Sequence, residues 1–305
     1  MTDAPAFRFL HVCYCCNDVD LAANFFVDAL GMRLTMRTPL ESSDGELLGM
    51  DRIITSAAAF VYDRRGPRTS PAIEVQQWAD PEATGVPSLD PFEVGIKSLG
   101  FSVPDLDDAQ ALLEAHGCTL GACGVGPTGA ESRMMIDPTG TPIELLADAD
   151  LVAPATQMHH LRITVTTIDD SMPFYSALGF ETITRNKFTD ARFAGVTFGV
   201  VAEVIRLRLS DEPFEVQLVQ WHTPSGHGRH YAEPNHSGVY RAALGVGDTV
   251  ASYDRLTAAG MTFDRHPRLV ELKGTPVPDM WITFISDPDG IPYEFVQRPR
   301  DVFRA

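Results

Sequence analysis

The chain repeats itself, and that constrains its fold more than any other feature. The stretch FLHVCYCCNDVDLAANFFVDALGM, from Phe9, reappears as MHHLRITVTTIDDSMPFYSALGF, from Met158. Each reads His, an alternating apolar run, Asp, an amphipathic stretch with paired aromatics, then Leu-Gly. Period-two alternation predicts a strand, and the 3.6-residue period after it predicts a helix. The helices should stop at Gly31 and Gly179, where glycine takes the left-handed conformation without steric cost.

The repeat continues. IEVQQWADP (from Ile73) matches VQLVQWHTP (from Val216). SLGFSVPDLDDAQALLEAHG matches RAALGVGDTVASYDRLTAAG, again a strand and a helix, closed by Gly117 or Gly260. MMIDPTGTPIELL matches FISDPDGIPYEFV. Asp-Pro-x-Gly is a tight-turn signal between strands. The offsets are nearly constant, so duplication is the simplest reading. Each half divides again into two strand–helix–strands units, beginning near Phe9, Val94, Met158 and Gly238. The expected organisation is an N-terminal domain over 1–147, a linker over 148–157 containing Pro154, and a C-terminal domain over 158–305.

Composition narrows the function. The 305 residues are 44% hydrophobic and 21% charged, enough to bury a sizeable core. The net charge of −17 disfavours phosphate backbones and anionic lipid, so neither nucleic acid nor membrane is an expected partner. With no signal-like or membrane-spanning run, the expected compartment is the cytoplasm. The five cysteines are expected to be reduced and buried.

The order of units, together with the DPxG…E turn and strand, resembles the vicinal oxygen chelate superfamily, which includes glyoxalase I, extradiol dioxygenases, methylmalonyl-CoA epimerase and bleomycin- or fosfomycin-resistance proteins. The resemblance covers nearly the whole chain. It implies an α+β fold of four βαβββ modules forming two tandem domains, with modules paired into curved sheets around clefts. It says less about the reaction, because the scaffold hosts many chemistries.

The family takes its metal ligands from the first and last strands of the modules. The corresponding positions here are His11, Glu74, Ser98 and Glu144 in the first half. In the second they are His160, Gln217, Arg241 and Glu294. The resemblance therefore offers His11, Glu74, Glu144, His160, Gln217 and Glu294 as ligands. Nitrogen and oxygen donors suit a divalent ion such as Zn, Ni, Mn, Co or Fe(II). Modules pairing in order would group His11, Glu74, Ser98 and Glu144. Pairing across the halves would group His11, Glu74, Arg241 and Glu294, and separately His160, Gln217, Ser98 and Glu144.

Strand alternation sends His11, Cys13 and Cys15 toward a cleft and Val12, Tyr14 and Cys16 away from it. With Cys13 and Cys16 on opposite faces, the cysteines are read as small wall residues rather than a zinc site. Glu74, Glu144 and Glu294 are the candidate proton-moving carboxylates. Arg241 and Arg162 are candidates for a substrate carboxylate, with Ser98 beside them. The segment WHTPSGHGRHYAEPNHSG gathers His222, His227, His230 and His236. It is read as an irregular loop near a cleft mouth, either solvated or delivering His236 or His222 to the site. Trp78, Trp221 and Trp281 are read as either pocket walls or core, and Phe25, Phe26, Phe174 and Tyr175 as core.

The function expected is that of a small-molecule enzyme. Metal-assisted isomerase, epimerase or lyase action on an oxygenated organic acid or aromatic metabolite heads the possibilities. A metal-free ligand-sequestering protein, a metal-free enzyme using Arg241 and a loop histidine, and an extradiol-type dioxygenase recruiting a loop histidine stay open. So does the choice between monomer and homodimer.

Overall fold

The computed structural model describes residues 5–153, 155–210, 212–272, 274–275 and 277–298. Pro154 of the expected linker, the first four residues and the last seven lie outside them. Four modules follow one another. The first comprises β1 (Ala6–Cys16), α1 (Val19–Leu30), β2 (Arg33–Arg37), β3 (Glu41–Asp44), β4 (Ile53–Tyr62) and β5 (Ala72–Asp80). The second comprises β6 (Gly95–Val103), α2 (Leu106–Ala115), β7 (Thr119–Val125), β8 (Glu131–Ile136) and β9 (Pro142–Ala147). The third comprises β10 (Gln157–Thr164), α3 (Ile168–Leu178), β11 (Phe180–Phe188), β12 (Val201–Leu209) and β13 (Glu215–Thr223). The fourth comprises β14 (Gly238–Val246), α4 (Thr249–Ala258), β15 (Arg268–Val270), β16 (Met280–Ser286) and β17 (Pro292–Gln297). The short β3 is an addition to the βαβββ pattern and pairs with β4.

Local chemistry sets the helix ends. The Asp18 carboxylate accepts from the amides of Asp20 and Leu21, and Asp105, Thr167 and Asp248 do the same for α2, α3 and α4. Such a cap is worth about 1 kcal/mol. α1 ends at Gly31 with φ 63° and α3 at Gly179 with φ 107°, a conformation that disfavours any side chain.

The modules pair across the sequence halves. One sheet runs β15-β16-β17-β14-β1-β5-β4-β2, joining the first module to the fourth. The other runs β11-β12-β13-β10-β6-β9-β8-β7, joining the third to the second. At each seam two first strands lie antiparallel, β1 on β14 and β10 on β6. Each sheet therefore takes one module from each half of the sequence.

The connectors between modules bind each other. Val94 N donates to His227 O at 2.7 Å, His227 N to Phe92 O at 3.0 Å, and Thr84 N to Asn235 O at 2.9 Å. The histidine-rich segment is thus half of a paired crossover. One apolar core joins the two sheets through the helices, with Val12, Phe26, Leu99, Leu161, Tyr175 and Phe295 among its members. Two turn aspartates lock the sheets together: Tyr14 donates to Asp137 at 2.7 Å and Tyr175 to Asp287 at 3.0 Å. Among the described residues no helix is long and apolar enough to cross a membrane.

Candidate functional site

Pairing across the halves sorts the candidate residues into two clusters. On the first sheet, His11 comes from β1, Glu74 from β5, Arg241 from β14 and Glu294 from β17. Register brings them together: Cys13 pairs with Glu74 on one side and Arg241 on the other, and Ala243 pairs with both His11 and Glu294. His11 Nε2 lies 3.2 Å from Glu74 Oε2 and 3.5 Å from Glu294 Oε2, yet its angles are not those of a hydrogen bond. The ligand atoms of His11, Glu74 and Glu294 all lie within 4.8 Å of one another. Among the described residues this is the cluster of His, Cys and acidic side chains close enough to share an ion.

Arg241 completes the cluster. Its Nη2 donates to Glu74 Oε2 at 2.9 Å, its Nε to Glu294 Oε2 at 3.3 Å, and its Nη1 to Gln76 Oε1 at 2.8 Å. Burial alone would push Glu74 up, but Arg241 and His11 outweigh it and hold the carboxyl at about 2. Burial would likewise lower His11, but Glu74 and Glu294 outweigh it and raise the imidazole to about 9. Two cations thus face two carboxylates.

His11, Glu74 and Glu294 line a cavity of about 400 Å³, together with Phe60, Met280 and Ile282. Arg8, Arg68 and Arg298 line it as well. Cys13 and Cys15 share the His11 face of β1 but pack against Trp78, Ile54 and Tyr240, as wall residues do. All five cysteines are free thiols, and Cys123 is exposed, contrary to the expectation that all five are buried. It lies on β7, whose residues are mostly half-buried or exposed.

The second sheet gathers Glu144 from β9, His160 and Arg162 from β10, Ser98 from β6 and Gln217 from β13. Glu144 is 0% exposed. It accepts from Arg162 Nε at 3.0 Å and from Arg162 Nη2 at 2.8 and 2.7 Å, while Ser98 Oγ reaches it at 3.3 Å and His160 Nε2 lies 3.1 Å away. Burial raises Glu144, but Arg162 and His160 outweigh this and hold it at about 2. Burial lowers His160, with Glu144 opposing. The His160 ring lies across Gly100, where any Cβ would collide with it. Gln217 donates to Glu215 at 3.0 Å.

The loop histidines stay away from both clusters. The His236 ring stacks on Tyr231 at 3.5 Å and its Nδ1 meets the Ser237 carbonyl. His230 Nε2 meets the Tyr240 carbonyl, and His222 is exposed near the end of β13 rather than in a loop. Their segment is committed to the crossover between connectors. Trp78 is core, whereas Trp221 lines a cavity.

Three contributors escaped the sequence reading. Gln76 sits two residues after Glu74 on the same face of β5, a period-two signal visible in IEVQQW. Lys97 is the lone charge in a strand otherwise closed to water. The arginines at the first cavity come from distant segments and carry no local signal.

Two curved sheets of cross-paired βαβββ modules, each with a polar cluster on one face, define a vicinal-oxygen-chelate scaffold. Family models described as the glyoxalase/bleomycin resistance protein/dioxygenase superfamily match residues 10–135 and 157–295, and the chain belongs to that superfamily. Among solved structures, glyoxalase I from Zea mays is 18% identical with a TM-score of 0.70, over 95% of this chain and 92% of that one. A Bacillus subtilis protein described as a candidate dioxygenase is 14% identical with a TM-score of 0.59, over 96% and 86%. At these identities the likeness is one of fold. A search of curated proteins finds no match.

Proposed function

We propose that the chain is a metal-assisted isomerase, epimerase or lyase acting on an oxygenated organic acid, with its reaction centre at His11, Glu74 and Glu294. The observation that carries this reading is the trio itself: one imidazole and two carboxylates, buried, mutually within 4.8 Å, beside an open cavity. The donor set fits a divalent first-row ion. His11 Nε2 makes no hydrogen bond among the described residues, so once deprotonated its lone pair is free for an ion. Bound there, such an ion would act as a Lewis acid on substrate oxygens.

The remaining work falls to the chain's own groups. Arg241 holds Glu74 and Glu294 in position by direct bonds, which keeps both carboxylates aimed and Glu74 ionised. Glu294 can take a proton from a carbon beside a carbonyl, provided it lies within hydrogen-bond reach, whereas Glu74, held at about 2, is a weak base. The arginines lining the cavity attract an acidic substrate, and Phe60, Met280 and Ile282 accept its apolar part.

Arg241 supports a second reading. With His11 protonated, two cations already balance two carboxylates, and the same cavity would then act without a metal. The test is proton exchange. A panel of hydroxy and oxo acids is incubated with the protein in D2O and followed by NMR, with and without added divalent metal. Metal-dependent loss of a C–H signal, abolished in His11→Ala, supports the metal reading. Exchange indifferent to metal and chelator supports the second.

A further inference from the structure

The concave face of the second sheet carries a separate cavity of about 350 Å³. Its charges differ from those of the first, which sets Glu74 and Glu294 among arginines. Among the described residues the second has no acidic side chain in its lining, and its charged residues are Arg162 and Lys97. The walls are apolar and aromatic, with Phe188, Phe193 and Trp221 prominent. Arg162 stacks over the Phe193 ring at 4.7 Å, which fixes the guanidinium plane.

Two donors here have no hydrogen-bond partner among the described residues. Arg162 gives Nε and Nη2 to Glu144, but its Nη1 is buried with no hydrogen-bond partner. Trp221 Nε1 is buried and unpartnered in the same way. A buried donor left without an acceptor is destabilising unless something pairs with it. Charge points the same way. Glu144 neutralises Arg162, which leaves Lys97 as the surplus cation of the lining. Its ammonium makes one hydrogen bond, to the Asp90 carbonyl at 3.2 Å. Burial depresses it to about 8, with Glu93 and Asp90 opposing.

We propose that this cavity is a binding site for a monoanion with a flat apolar body, of the aromatic-carboxylate class, whose acid group is taken by Arg162 and Lys97. One negative charge matches the one cation of the lining that forms no ion pair among the described residues. Aromatic walls match a planar body. The Arg162 Nη1 and Trp221 Nε1 donors match oxygen acceptors on the ligand. The site is independent of the trio on the first sheet.

The test uses the full chain and isothermal titration calorimetry, with 2-naphthoate and its neutral isostere 2-naphthamide as probes. Naphthoate is expected to bind once per chain and at least about tenfold more tightly than the amide. Lys97→Met should weaken naphthoate about tenfold and leave the amide unchanged. Trp221→Phe, which removes one N–H and keeps a ring, should weaken naphthoate a few-fold. His11→Ala should change neither. Arg162 is left intact, because its loss would strand the buried Glu144. Equal affinity for the two probes overturns the proposal, as does absence of naphthoate binding or its loss in His11→Ala. Unchanged binding in folded Lys97→Met overturns it too. Should that variant fail to fold, the probe comparison and Trp221→Phe decide alone.

Discussion

Arg241 and Glu74 stand 167 residues apart in the sequence and 2.9 Å apart in the first cleft. The pair joins the fourth module to the first, so it exists only because the modules pair across the halves. Arg241 occupies a position where the family resemblance leads one to expect a metal ligand. It neutralises part of the charge that would draw a metal in.

Arg241→Met should therefore have two opposite effects. Removing one partner of a buried ionic cluster typically costs about 3–5 kcal/mol. A loss of that size is expected in urea unfolding without metal. Added divalent metal should recover part of it, because it binds the folded state and replaces the missing cation. Equal instability with and without metal would contradict the role assigned to Arg241.

Metal binding should release a proton. His11 is raised to about 9 by Glu74 and Glu294 against the effect of burial, so it is protonated at pH 7. A ligand must give that proton up. Calorimetry in buffers of different ionisation enthalpy should find about one proton released per metal at pH 7. Affinity should rise about tenfold per pH unit until pH approaches 9. A pH-independent affinity would mean that His11 is not a ligand.

Acid should loosen the second sheet. Glu144 titrates at about 2 in the folded chain against an ordinary 4.5. Its contribution is fully present above pH 4.5 and is lost as pH falls from there toward 2. The difference is on the order of 3 kcal/mol. Glu144→Gln should be less stable than the parent at pH 7 yet lose less between pH 5 and 3, where Glu74 still contributes. Parallel stability curves for the two proteins would contradict the assignment.

Gly100→Ala should overpack the second cluster. The new methyl meets the His160 ring, and overpacking costs about 1–3 kcal/mol. Adding His160→Ala should restore part of the loss. A double-mutant cycle over the two positions should therefore give a coupling well above additivity error.

Much of this was legible in the sequence. His11, Glu74 and Glu294 are visible as repeat positions, and the same alignment yields the second cluster of His160, Gln217, Ser98 and Glu144. Module pairing was not legible. β6 and β14 are both buried on two faces and both offer an antiparallel seam, so β1 could have taken either. The observed pairing goes with main-chain contacts between connectors, such as Val94 to His227, which leave no trace in hydrophobic periodicity. The same contacts explain why a segment rich in histidine looked functional: His230 and His236 pack that crossover. Lys97 was missed because one charge in the strand VGIKSLGFSV reads as a surface position, whereas it lines a cavity at a register shift.

The central claim is that His11, Glu74 and Glu294 bind an ion. The most direct measurement is the metal content of protein purified without an affinity tag under reducing conditions, by mass spectrometry, beside His11→Ala. The account predicts about one divalent metal per chain in the parent and none in the variant. A parent that stays metal-free even after divalent metals are added back would contradict it.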